Sequence, residues 1–214
     1  MKLNRAEFET RYSSGKLRLA FIGMSNIGKS YTAKRLARDF DFNLVDIDKL
    51  IWEELGHDDM AGFAEWQGQP YSEGYSDREE KSIALEAKAT RKALTIDKPN
   101  TILDTTGSVI YTGKQILDEL KQTHYVVYIQ ADIDAMERLK LQYFQQPKPL
   151  IWNNYFEQGL GQSDREAVLE SYPKLLNARA ESYESLADTI LSSEYILNPK
   201  NSVRDILERL KPAP

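Results

Sequence analysis

At 214 residues, with 41% hydrophobic and 29% charged residues, the chain has the make-up of one soluble globular domain, or of one domain with an inserted cap. A formal net charge of −5 argues against a general nucleic-acid or membrane-surface binder. The absence of cysteine excludes disulfides, thiolate catalysis and thiolate-held zinc, and two histidines, His57 and His124, rule out a multi-histidine metal site. No apolar run approaches the roughly 20 residues of a membrane span, and the polar start carries no secretory signal, so a cytoplasmic protein is expected.

Residues 1–16 are polar, with Leu3, Phe8 and Tyr12 spaced for a short helical arm. Leu17 to Ile22 is a short apolar run that predicts a buried strand. It feeds Gly23-Met24-Ser25-Asn26-Ile27-Gly28-Lys29-Ser30, which fits the phosphate-loop pattern G-x-x-x-x-G-K-[ST] at every fixed position. Ala33, Leu36, Ala37 and Phe40 then recur at helical spacing, so the motif sits between a strand and a helix as its mechanism requires. The two glycines let backbone N–H groups turn inward on phosphate oxygens, and the helix opening near Gly28 adds its first-turn N–H groups and partial positive charge. Lys29 is expected on the β- and γ-phosphates of ATP and the Ser30 hydroxyl on Mg²⁺. Gly23, Ser25, Asn26, Ile27, Gly28, Lys29, Ser30 and Tyr31 form the expected ATP-binding set. A chance glycine turn before a helix, the plain alternative, leaves the matching flanks unexplained.

Asn43 to Asp46 predicts a second strand, followed by Ile47-Asp48 and a helix from Lys49. In extended geometry Asp46 and Asp48 project from one face. Phosphoryl transfer needs one carboxylate near the metal and one at the attacking hydroxyl, which places Asp46 with Mg²⁺ and Asp48 at the acceptor. The competing reading is a turn aspartate and a helix N-cap. Residues 56–77, rich in glycine and aromatics, suggest a cap over a site or a surface excursion covering a core edge. Arg78 to Leu94 predicts one long helix. Thr101 to Asp104 is a third strand closing on an acid, and Asp104 suits either a metal shell or a turn. Thr112 and Gln115 spell a capping box for a helix to about Lys121.

Tyr125 to Ile129 is a clear strand, and Asp132 caps the next helix. Residues 145–162 are irregular and predict a lid. Ser163 and Glu166 form another capping box, opening a helical region to 186 that Pro173 interrupts, as two helices or one kinked helix. Arg179 falls on that region's inward stripe with Leu175, Leu176, Tyr183 and Leu186, where a charge must meet an anion, from substrate or from a protein carboxylate. Thr189 to Leu191 predicts a last strand, and Ser202 caps a final helix.

Strands alternating with helices predict an α/β fold of the P-loop NTPase type: a three-layer sandwich with about five parallel strands and helices on both faces. One kinase domain is expected, its core at about 17–55, 78–144 and 163–210, with a cap at 56–77 and a lid at 145–162. The phosphate loop, Asp46, Asp48, Asp104 and Gly107 all fall at strand carboxyl ends, where such sheets bind ligands.

Together these residues resemble the shikimate kinase family, small P-loop kinases of the nucleoside-monophosphate-kinase type. The likeness runs from Leu17 to about Leu210. It rests on the phosphate loop, on Asp46-Ile47-Asp48 in the family's D-x-D, on Val126 to Ile129 with its helix, and on Arg179, Tyr183 and Ala187 in R-x₃-Y-x₃-A. The resemblance implies transfer of the ATP γ-phosphoryl group to the 3-hydroxyl of shikimate with Mg²⁺. It puts Asp48 on the acceptor hydroxyl, and Arg78 and Arg179 on the substrate carboxylate. The family's Gly-Gly-Gly turn against the substrate reads Thr105-Thr106-Gly107 here, and its Arg-Pro-Leu lid sequence reads Lys148-Pro149-Leu150. Lysine keeps the charge of the lid arginine without its bidentate fork.

The expected function is therefore an ATP- and Mg-dependent kinase acting on a hydroxyl of a small anionic metabolite, with Lys29, Asp48 and Lys148 catalytic. The expected substrate contacts are Asp48, Arg78, Thr106, Gly107 and Arg179, and the expected metal set is Ser30, Asp46 and Asp104. No nucleic-acid or membrane partner is expected, and the protein is read as a monomer or weak homodimer. A nucleotide, nucleoside or gluconate-type kinase of the same fold, or a non-catalytic ATP-binding protein, are the alternatives.

Overall fold

A computed structural model describes residues 2–56, 60–145 and 150–213. The strands are β1 (Arg18–Ile22), β2 (Asn43–Asp46), β3 (Thr101–Asp104), β4 (Tyr125–Gln130) and β5 (Thr189–Ser192). They form a five-stranded sheet in the order β2-β3-β1-β4-β5, and every pairing is parallel. A parallel sheet needs cover on both faces, and its strands read as unbroken apolar runs. Leu19, Ala20, Phe21 and Ile22 of β1 are fully buried, as are Val126, Val127 and Ile129 of β4.

The helices around the sheet are α1 (Arg5–Ser13), α2 (Lys29–Phe40), α3 (Ile47–Glu54), α4 (Met60–Gln67), α5 (Tyr75–Leu94), α6 (Lys114–Thr123), α7 (Ile133–Gln145), α8 (Asp164–Leu186), α9 (Ser193–Leu197) and α10 (Val203–Leu210). Among the described residues no helix is long and apolar enough to cross a membrane. After β1 the chain builds outward to β2 and β3 on one side and then to β4 and β5 on the other. β1 is thus where the sheet changes direction, and the crevice at its carboxyl end is the place such a sheet offers a ligand.

Several expectations meet a different local structure. Residues 56–77 include α4, and α5 begins at Tyr75 rather than Arg78. The capping box spelled by Thr112 and Gln115 does not form. Thr112 Oγ1 donates to the Val109 carbonyl at 2.7 Å and closes a 3₁₀ turn (Val109–Tyr111), and α6 starts after Gly113 with no side-chain cap. The box at Ser163 and Glu166 does form, and Ser202 is completed by Asp205 in the same way. Pro173 lies inside the single assigned helix α8. It forfeits the bond to the Leu169 carbonyl, and Leu169 is half exposed, so water can take up that group.

Candidate active site

The phosphate loop lies between β1 and α2. Gly23 has φ +137°, and a Cβ there would stand 2.6 Å from the Ile129 carbonyl oxygen on β4, so only glycine lets the loop leave β1 against its neighbour. Gly28 (φ +106°) opens α2 in a left-handed conformation that no side chain caps, and the helix's first turn holds no acid. Helices α8 and α10, by contrast, carry complete side-chain caps. The first-turn N–H groups of α2 are therefore left for an anion, with the helix dipole behind them. Lys29 is buried, and its Nζ donates to the carbonyls of Gly23 (2.9 Å) and Met24 (2.8 Å), which holds the ammonium over the loop. Ser25, Asn26, Gly28, Lys29, Ser30 and Tyr31 line a cavity of about 450 Å³. Gly23 and Ile27 do not: the Ile27 side chain is buried in the core, and these two shape the loop from behind.

The acids divide. α3 begins at Ile47, so Asp46 and Asp48 are not two residues of one extended strand as the sequence suggested. Asp46 ends β2 and caps α3, its Oδ1 accepting from the Lys49 N–H at 3.1 Å, while Asp48 sits in the first turn of α3 and lines the cavity. Register places Asp46 beside Asp104 on β3. Asp104 is buried, and its Oδ1 has no hydrogen-bond partner. Burial pushes the Asp104 carboxyl above its ordinary range, against the pull of Lys29 and a hydrogen bond from Ser30. An orphaned carboxylate oxygen beside the Ser30 hydroxyl and a second carboxylate is hard-oxygen chemistry that fits a divalent cation such as Mg²⁺.

The far wall of the cavity comes from α3, α4, α5, the turn after β3 and α8: Asp48, Ile51, Phe63, Gln67, Ser82, Glu86, Thr106, Gly107, Ser108 and Arg179. Arg179 is buried on the inward stripe of α8, yet it hydrogen-bonds backbone carbonyls in place of the expected anion. Nη1 donates to the Gly107 carbonyl at 3.0 Å and Nη2 to the Ile151 carbonyl at 2.5 Å, the guanidinium lies 5.3 Å from the Tyr111 ring centre, and Nε has no partner. Tyr183, one turn on, also donates to the Gly107 carbonyl. The R-x₃-Y pair thus clamps the turn after β3 from α8. A Cβ on Gly107 would stand 3.1 Å from Ser25 Oγ and 3.3 Å from Arg179 Nη1, so this turn meets the phosphate loop closely.

Arg78 is not brought to the cavity. Its Nε donates to the Gln67 carbonyl (2.9 Å) and its Nη2 to the Glu73 carbonyl (3.0 Å), so it ties the cap to the start of α5. Arg78 was expected on a substrate carboxylate, and in this structure its hydrogen bonds go to the cap. Lys148 lies outside the described residues. The chain after it is held in place: Tyr75 and Gln67 donate to the Leu150 carbonyl, and Glu79 accepts from the N–H groups of Trp152 and Asn153. Trp152 is buried against Tyr143, Phe156 and Tyr172, so the aromatics of this segment anchor it.

Glu86 was not among the residues singled out from sequence. It is 2% exposed on α5 and accepts from the hydroxyls of Thr106 and Ser108. Burial raises its carboxyl to about 7, although both hydroxyls oppose the shift. A signal existed: Ser82, Glu86, Ala89 and Ala93 recur at helical spacing on the buried face of α5. An acid there poses the same question that Arg179 raised on α8.

The family model described as shikimate kinase matches residues 25–211. Shikimate kinases of Hahella chejuensis and Xanthomonas campestris are similar in sequence. The first is 27% identical over 92% of this chain and 87% of its own length, the second 28% identical over 90% and 91%. Among solved structures, the shikimate kinase of Bacteroides thetaiotaomicron superposes with a TM-score of 0.62 at 18% identity, covering 91% of this chain and 96% of its own. That of Acinetobacter baumannii in complex with shikimate gives 0.59 at 17% identity, over 93% and 94%. At such identities the structural likeness speaks to the fold.

Proposed function

The chain belongs to the shikimate kinase family of ATP-dependent kinases, and on that premise we propose that it transfers the γ-phosphoryl group of ATP to a hydroxyl of shikimate or of a closely related ring polyol. The observation that carries the proposal is a single cavity with the phosphate loop and Lys29 at one end and Asp48 and Arg179 at the other.

In this reading the loop N–H groups and the opening turn of α2 take the phosphates, and Lys29 exchanges two loop carbonyls for β- and γ-phosphate oxygens. Asp48 orients the acceptor hydroxyl and takes its proton as the new O–P bond forms and the bond from Pγ to the bridging oxygen breaks, releasing ADP. Ser30, Asp104 and Asp46 are the residues that would hold Mg²⁺, which when bound neutralises phosphate charge. The Arg179–Tyr183 clamp keeps the Thr106–Gly107 turn against the loop, so acceptor and phosphate are presented at fixed spacing. Lys148 is assigned by sequence to the lid contact with the transferring group.

The test is ADP release from Mg·ATP with shikimate, gluconate and nucleosides offered in turn. Shikimate is expected to raise release well above the acceptor-free rate. Stimulation by nucleosides alone would replace this reading with a nucleoside kinase, and tight ATP binding with no stimulation by any acceptor would replace it with a non-catalytic ATP binder.

A further inference from the structure

Arg179 owes its position to a part of the chain that has no regular structure of its own. Of the two carbonyls that hold the guanidinium, Gly107 sits on the turn leaving β3, whereas Ile151 belongs to residues 150–154, which form neither helix nor strand. Asn153 (φ +47°) and Asn154 (φ +68°) take this segment through the left-handed region, which asparagine tolerates better than most side chains. Backbone with no ladder or helix behind it takes its place from the groups that bond it.

Those groups come from the cap. Gln67 Nε2 donates to the Leu150 carbonyl at 2.7 Å, Tyr75 donates to the same oxygen, and Glu79 Oε1 accepts from the N–H groups of Trp152 and Asn153. These bonds fall on both sides of Ile151, whose own carbonyl goes to Arg179. Of Gln67, Tyr75 and Glu79, Gln67 alone lines the cavity, and it is 1% exposed. It is fixed in turn from two directions: Oε1 accepts from the Ser82 hydroxyl of α5 at 2.8 Å, and its backbone carbonyl accepts from Arg78. Arg179 spends two of its five N–H donors on the two carbonyls, and Nε–H is among those left for an anion.

We propose that Gln67 is a positioning residue for the acceptor site, acting through Arg179: by pinning Leu150 it sets the place of the Ile151 carbonyl, and with it the plane of the guanidinium that faces the acceptor. This rests on the kinase reading above and adds to it a residue of the cap. A guanidinium rides on a long, flexible side chain, and two carbonyls from different segments are what fix its plane. With the hold on one of them loosened it is hinged on the other alone. The acceptor then meets an arginine spread over several positions, which weakens its binding, while Asp48 and the phosphate loop stay as they were.

The experiment is a mutant cycle on the full chain, read by ADP release with shikimate as acceptor and by a separate Mg·ATP titration. Gln67→Met keeps the length of the side chain and removes both amide ends. It is expected to raise acceptor KM about tenfold, with kcat within about twofold and ATP affinity unchanged. Placed in an Arg179→Lys chain, the same substitution is expected to add less than about twofold, because a residue that acts through another then has nothing left to position. Tyr75→Phe, a milder change that takes one donor from the same Leu150 carbonyl, is expected to raise acceptor KM about threefold and to lose that effect beside Arg179→Lys; it carries the test if Gln67→Met does not fold. An unchanged acceptor KM, a matching loss of ATP affinity, or the full effect persisting in the Arg179→Lys chain overturns the proposal, the last two being what a merely structural amide would give. Wild-type ADP release stimulated by shikimate, with both cap variants indifferent, overturns this proposal alone, whereas no stimulation in the wild type overturns the kinase reading with it.

Discussion

The two ends of the cavity are built on different principles. At the phosphate end the working groups are backbone N–H groups and one lysine, shaped by glycines that nothing else can replace: Gly23 is pressed against β4, and Gly28 opens a helix with no side-chain cap. At the acceptor end the working groups are side chains from five separate segments, among them Glu86, held by Thr106 and Ser108, and Arg179, held by the carbonyls of Gly107 and Ile151. A backbone cradle binds whatever carries a polyphosphate. A wall of side chains can be respelled without moving the sheet, so the second end is where acceptor choice resides.

The contrast is broken most directly at Asp48. Asp48→Asn should lower turnover by about 10³-fold with ATP affinity nearly unchanged, because the substitution removes the proton acceptor and leaves the loop alone. Steady-state ADP release and a nucleotide titration check both halves. An unchanged rate would take Asp48 out of its role. Next in size is the seam where the two ends touch. Gly107→Ala sets a methyl 3.1 Å from Ser25 Oγ and 3.2 Å from its backbone nitrogen, so turn and loop must part by a few tenths of an ångström. A loss of about tenfold in kcat/KM is expected, with acceptor and ATP each still binding, since the damage is to their spacing.

The pH dependence of stability sharpens the contrast further. Buried Glu86 carries a carboxyl raised by desolvation to about 7, from an ordinary value of 4.5. Between those values the folded protein binds a proton that the unfolded chain releases, so stability falls as pH rises through the window and levels off above about 7. The effect is on the order of 3 kcal/mol at its largest. Asp104, raised in the same direction, adds to the acid side of this slope. Glu86→Gln should flatten most of the slope in denaturant midpoints measured from pH 5 to 8, and an unaltered slope would assign it elsewhere.

The same contrast explains what could be read from the sequence. The phosphate loop was legible because its demands are on the backbone, and backbone demands are written as glycine spacing; the close approach of Gly23 to Ile129 is the physical cause of that spelling. The alternation of strands and helices was legible for a similar reason, since fully covered parallel strands are continuous apolar runs. Arg179 was legible as a charge on an inner stripe, but its partners, the carbonyls of Gly107 and Ile151, come from positions 72 and 28 residues away and leave no local trace. Glu86 sat on an equally apolar stripe, hidden because long helices rich in Glu, Lys and Ala are ordinarily solvated. The Thr112–Gln115 pattern failed because a competing local bond, Thr112 to the Val109 carbonyl, captured the hydroxyl first.

Arg78 gives the smallest expected effect on chemistry and the cleanest separation of the two arginines. Both were assigned by resemblance to one carboxylate, and packing separates them: Arg179 is buried on the cavity, whereas Arg78 bonds the carbonyls of Gln67 and Glu73 and lies within 3.0–3.1 Å of where side chains on Gly68 and Gly74 would begin. Arg78→Gln loses charge-assisted bonds to two carbonyls of the cap and should lower stability by about 1–2 kcal/mol. Acceptor KM should change by less than about twofold, whereas Arg179→Lys, which lacks the planar fork that reaches the Gly107 and Ile151 carbonyls together, should raise it about tenfold with ATP binding intact. Measured side by side, a large KM effect at Arg78 with normal stability would bring that residue back to the acceptor and restore a two-arginine grip.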